Sequence, residues 1–198
     1  LLAPRAAAQT YPSAQSVASL LAAIKHCLGQ KTQRVQCLDL IFRDFLTRQT
    51  GSDALTLIQR FQERDSELRL SCHPVVHAVG RELFQRTQSI HGAFSACNQT
   101  CQSGCYHGAV ERFLWGETEA NSTAPPHPNR AQLQKKAADA CSPTDALRIR
   151  YQCLHGLGHA ILSFSAYQLA AALEICDQLP DAWSRRSCYG GVFMENVT

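Results

Sequence analysis

The sequence predicts an all-α protein of five helical hairpins, each about 35 residues long, stacked as a short α-solenoid or superhelical bundle and stapled by disulfides. Three observations carry that prediction. Apolar residues recur with the helical period along most of the chain, and the short β-branched runs all lie inside that period. Cys37, Cys72, Cys105, Cys153 and Cys188 follow one another at intervals of 35, 33, 48 and 35 residues. Ten cysteines in 198 residues, with no CxxC pair and no CxxCH, read as the disulfides of an oxidising compartment rather than as zinc or haem attachments.

Residues 1–12 read as a disordered leader or signal remnant, with Ala6, Ala7 and Ala8 as a small-residue cleavage site. Residues 13–198 form a single repeat domain. Its first helix, from Ser13, carries Val17, Leu20, Leu21, Ile24 and Leu28 on one face and ends at Gly29. The second, about 32–50, carries Val35, Leu38, Ile41, Phe42 and Phe45 and stops before Gly51. Ser52 or Asp53 can cap a third, with Leu55, Ile58 and Phe61 inward. Val75, Val76, Val79, Leu83 and Phe84 define a fourth; 89–98 is a short fifth, and 103–115 a sixth.

Residues 116–129, GETEANSTAPPHPN, hold three prolines and no apolar period, so they predict a surface loop. Helices resume at about 130–141, 145–164, 166–177 and 181–196. The resulting units are 13–50, 52–86, 89–115, 130–164 and 166–196, and they match no TPR, ankyrin or HEAT consensus.

Cysteine positions within those units suggest a pairing. Cys27 with Cys37, Cys141 with Cys153 and Cys176 with Cys188 would each staple one hairpin, and Cys97 with Cys105 fits over a shorter turn. Cys72 and Cys101 are left over and could bridge neighbouring units.

The chemistry-bearing residues sit in phrases of one grammar. Tyr151–Ala160 reads YQCLHGLGHA; Cys105–Glu111 reads CYHGAVE; Cys72–His77 reads CHPVVH; and CYGG at Cys188 is followed by Met194 and Glu195. Two residues four apart on a helix share one edge and can chelate one ion. His73 with His77, His107 with Glu111, and His155 with His159 are three such pairs, and they bear a similar angular relation to their apolar stripes. Regular stacking would then line the three edges along one face or groove. Imidazole-rich ligands favour zinc or copper, with iron as a further option. Six ligands exceed the need of one ion, so a dinuclear centre is conceivable. Glu111 could ligate or act as general base on a metal-activated water. Met194 occupies the second chelate position of the last unit, and Glu195 stands one residue out of frame.

A second reading takes the same phrases as packing: glycines permit close helix contact, and the histidines bond across units. The protein is then a noncatalytic interaction or assembly module. The CYGG unit is not followed by the polar cap that a solenoid needs, which predicts a protein partner or a further C-terminal domain. Three Asn-x-Thr sequons, at Asn98, Asn121 and Asn196, would accept glycans in a eukaryotic source. A net charge of +3 with interspersed signs gives no basic stripe for nucleic acid, and no apolar run reaches the length of a membrane span. The expected location is secreted, extracellular or periplasmic.

Overall fold

The computed structural model describes residues 17–116, 131, 135–137, 140–142 and 146–197. The leader at 1–12, His127, Asn121 and nearly all of the 116–129 loop lie outside the described residues, and the helix expected at 130–141 falls only partly within them. Among the described residues the fold is helical, without a strand. Its helices are α1 (Val17–Leu28), α2 (Arg34–Phe45), α3 (Gly51–Arg64), α4 (Ser66–Thr87), α5 (Ile90–Ser95), α6 (Thr100–Trp115), α7 (Leu147–Phe164), α8 (Leu169–Cys176) and α9 (Ala182–Asn196). No described helix is long and apolar enough to cross a membrane.

Local chemistry sets the boundaries. Thr50, not Ser52 or Asp53, is the N-cap of α3: its hydroxyl accepts from the Asp53 amide, and the Asp53 carboxylate accepts from the Thr50 amide. Asp65 caps α4 through the Leu68 amide, and Asp181 caps α9 through the Ser184 amide. The entry to α6 is not helical. Cys101, Gln102 and Ser103 have φ of 51°, 57° and 66°, three successive left-handed residues of which none is glycine. Each costs about 1–2 kcal/mol. Regular α6 therefore starts close to position 103, as its apolar period predicts.

All ten cysteines are paired, and the pairs are those the spacing suggests: Cys27–Cys37, Cys72–Cys101, Cys97–Cys105, Cys141–Cys153 and Cys176–Cys188. Each restricts the unfolded chain and contributes about 2–4 kcal/mol. Four close a turn between consecutive segments, whereas Cys72–Cys101 ties α4 to the entry of α6. Such pairing implies an oxidising setting.

The second helices of the expected hairpins build the centre. α4 packs most extensively on α6, α7 on α9, and α6 on α7, with α2 against α4 and the remaining helices outside them. Glycines allow two of these packings to be very close. A Cβ on Gly80 would lie 1.9 Å from the Cys105 carbonyl oxygen, and one on Gly108 would lie 1.9 Å from that of His77. In the other pair a Cβ on Gly158 would lie 2.0 Å from the Cys188 oxygen, and one on Gly191 would lie 1.8 Å from that of His155. The α4/α6 and α7/α9 pairs thus share one clasp, in which His77 corresponds to His155 and Arg81 to His159.

That register differs by three residues from one that aligns Cys72 with Cys153. Cys72 sits almost a turn earlier because it reaches across to Cys101 instead of closing its own hairpin. Apolar side chains fill the layers on either side, among them Leu38, Phe42, Leu55, Ile58, Val76, Val110, Leu157 and Ile161.

Candidate metal centre

Five histidines meet where α4, α6 and α7 converge. The rings of His73 and His77 lie 4.6 Å apart between centroids, His73 and His107 5.2 Å, and His107 and His159 4.5 Å, with His155 at 5.1 Å from both His107 and His159. One nitrogen from each of His73, His107 and His159 falls within 4.8 Å of the other two, so these three could hold a metal ion. The chelating edges do not face a surface groove. His77, His107 and His159 are buried in the helix interface, and only His73 and His155 keep partial exposure.

Hydrogen-bond partners fix the ring protons. His73 Nδ1 lies 2.8 Å from the Cys101 carbonyl oxygen, an acceptor only, so Nδ1 carries the hydrogen and Nε2 is bare. His77 Nδ1 donates to Glu111 Oε1 at 2.6 Å, and His159 Nδ1 donates to Glu195 Oε2 at 2.8 Å. The Nε2 of His77 stands 3.0 Å from that of His73. The Nε2 of His159 is buried without a partner, and so are both nitrogens of His107. Ring nitrogens without a hydrogen-bond partner thus gather beside the His73–His77 contact. Holding imidazoles by Nδ1 to a carboxylate or carbonyl while Nε2 stays free is the outer arrangement of histidine metal ligands.

Electrostatics keep His73, His107 and His155 neutral. Burial, then the neighbouring His77, lowers His73 to about 4. Burial, then His159, lowers His155 to about 4. Burial lowers His107 well below the ordinary range, and the surrounding histidines add to the effect. Neutral imidazole is the form that ligates.

Behind His77 runs a buried chain of charge. Burial alone would raise Glu111, but His77 and Arg81 outweigh it and hold the carboxyl well below the usual carboxylate range. Arg81 NH1 donates to Glu111 Oε2 at 2.8 Å, and Arg81 Nε donates to Asp39 Oδ1 at 2.8 Å. Arg112 NH2 donates to Asp39 Oδ2 at 2.8 Å. Two carboxylates and two guanidinium groups balance in a region that excludes water. Behind His159, Glu195 Oε1 accepts from the exposed Tyr167 hydroxyl at 3.0 Å, and burial, then Glu195, pushes that phenol up to about 12.

The six residues singled out from the sequence therefore divide. His73, His107 and His159 form the close group, with His77 beside His73. Glu111 is brought to the site, but its two oxygens face His77 and Arg81. The Nδ1 of His155 is buried without a partner, and a Cβ on Gly190 of α9 would lie 3.3 Å from it, so that edge of the ring faces α9. Glu195, not Met194, carries the last unit's contact to a histidine. Asp39, Arg81, Arg112 and Tyr167 escaped sequence reasoning. The available signal was Arg81 four residues after His77, continuing the edge of His73 and His77 by one more turn. No family model matches the chain, and neither does a curated protein or a solved structure.

Proposed function

We propose that the chain is an extracytoplasmic helical-repeat metalloprotein, secreted or periplasmic, that holds one transition-metal ion in the histidine cluster. His73, His107 and His159 are the ligands, and His77 completes the nitrogen set. The observation that carries this reading is the convergence of ring nitrogens within reach of one ion, several of them without a partner. His73 and His77 direct Nε2 atoms at each other across 3.0 Å, while His159 and His107 add buried nitrogens without a hydrogen-bond partner. One hydrogen bridges the first two, and a bound cation would engage the nitrogens that remain. An all-imidazole donor set suits zinc or copper, with iron third. Glu111 and Glu195 orient His77 and His159 and do not coordinate. In this reading the five hairpins stack as repeats, and the tight glycine crossings of α4 on α6 and of α7 on α9 set the ligands' register.

A centre of this kind is catalytic when one coordination position stays open to water, which a histidine-bound zinc acidifies to a pKa of about 7. The partial exposure of His73 and His155 supports access from that side. A second reading, the noncatalytic assembly module, is favoured by the glycines, whose place in the His-Gly phrases is explained by packing alone. It leaves the unpartnered nitrogens without a role.

The test is metal analysis of protein purified without chelator or affinity tag, from an oxidising compartment. Stoichiometric zinc or copper is expected, lost in His159→Ala and largely kept in His155→Ala, with a melting temperature that chelator lowers in the wild type. Metal-free protein whose melting temperature ignores both chelator and added ions, yet falls in His159→Ala, would make the histidines structural.

A further inference from the structure

The Cys72–Cys101 disulfide is unlike the other four. It is the one among the described residues that ties a central helix to the entry of the next, and both of its ends adjoin the metal centre. Cys72 immediately precedes His73 on α4. At the other end, the Cys101 carbonyl oxygen is the acceptor that holds His73 Nδ1 at 2.8 Å, so one residue supplies both the disulfide and the hydrogen bond.

The backbone around that carbonyl is strained. Cys101, Gln102 and Ser103 are all left-handed, a conformation that residues with a Cβ adopt only when the surroundings impose it. Two disulfides bracket the strained turn: Cys72–Cys101 at its first residue and Cys97–Cys105 across it. Capping does little to hold this end of α6, since Gln99 at its N-cap makes no side-chain bond. With the Cys72 bond cut, nothing covalent ties the turn to α4, and relaxation toward right-handed backbone swings the Cys101 carbonyl away from His73. His73 then keeps neither its acceptor nor its fixed tautomer, and it is also the ligand with partial exposure.

Resting on the metal reading above, we infer that the centre is redox-gated: reduction of Cys72–Cys101 releases His73 and with it the bound ion. The step balances as ordinary exchange. A dithiol thiolate attacks one sulfur of the disulfide, and its second thiol displaces the mixed disulfide. Cys72 and Cys101 become thiols, and the reductant leaves as a cyclic disulfide. Cys27–Cys37, which joins α1 to α2 and adjoins none of the cluster's histidines, serves as the control.

Zinc affinity of the untagged, oxidised protein is compared with that of Cys72→Ala/Cys101→Ala and Cys27→Ala/Cys37→Ala, alongside melting temperatures of the zinc-free forms. Both double variants lose thermal stability. Zinc affinity falls at least about 10-fold in the first and stays within about 2-fold in the second, as expected when a ligand loses its outer partner. A complementary titration of the wild type with a dithiol follows zinc release by a chromophoric chelator against mass-spectrometric mapping of the free thiols, and needs no variant to fold. Release is expected to track reduction of Cys72–Cys101. Equal affinity in the two double variants, or zinc retained after Cys72 and Cys101 are free, overturns the inference while leaving the metal reading standing. Oxidised wild-type protein that binds no zinc or other transition metal overturns both.

Discussion

In the α4/α6 pair, His77 leans on Glu111, which shares Arg81 with Asp39 and, through Asp39, Arg112; every member of that chain is buried. In the α7/α9 pair, His159 leans on Glu195, whose other oxygen faces the hydroxyl of an exposed tyrosine. The backbones of the two pairs meet through the same glycine clasp. One scaffold therefore presents two histidines with different support: a buried network of ion pairs on one side and a link to an exposed hydroxyl on the other. Backbone register decides where a ring sits, and the charges behind it decide how firmly it is held.

The largest expected effect separates the two supports. Asp39→Ala leaves Arg81 and Arg112 buried without their shared acceptor and should cost about 3–5 kcal/mol in chemical denaturation. Tyr167→Phe removes one exposed hydrogen bond and should cost less than about 1 kcal/mol. Similar small losses in both would mean that water reaches Asp39 and that the contrast is illusory.

Where the pairs are alike, their variants should behave alike. Gly108→Ala and Gly191→Ala each place a methyl less than 2.0 Å from a carbonyl oxygen. Each helix pair must spread, with a loss of about 1–3 kcal/mol or more. A melt in which only one of the two variants is destabilised would break the equivalence of the clasps.

A smaller effect concerns affinity. Glu195→Gln keeps the volume of the side chain but weakens the acceptor behind His159, so metal affinity should fall about 10–100-fold while the metal-free protein unfolds almost as before. Competition with a chelator of known strength measures it. Unchanged affinity would show that His159 needs no carboxylate.

The helices and the disulfide pairing were legible because both are local signals: a period of 3.6, and cysteines set close to helix ends. Cys72 and Cys101 could be assigned by elimination once the hairpin staples were drawn. The histidine edges were legible too, since His73/His77 and His155/His159 carry the spacing of a helix turn. Which edge met which was not, because that depends on the register of the glycine clasps. Register is what makes Glu195 rather than Met194 the partner of His159, and what turns the edge of His155 toward α9.

The charge network was hidden for a different reason. Asp39 stands between Leu38 and Leu40, where an acidic residue normally marks the solvent edge of an amphipathic helix. It is buried because Arg81 and Arg112, 42 and 73 residues further along the chain, come to meet it. No local pattern encodes that meeting.

X-ray absorption at the edge of the bound transition metal tests the central claim most directly. Protein loaded with zinc or copper is predicted to show a shell of nitrogen, with at most one water oxygen, at about 2.0–2.1 Å and the outer scattering of imidazole rings. A shell containing sulfur, or oxygen without imidazole, would contradict it.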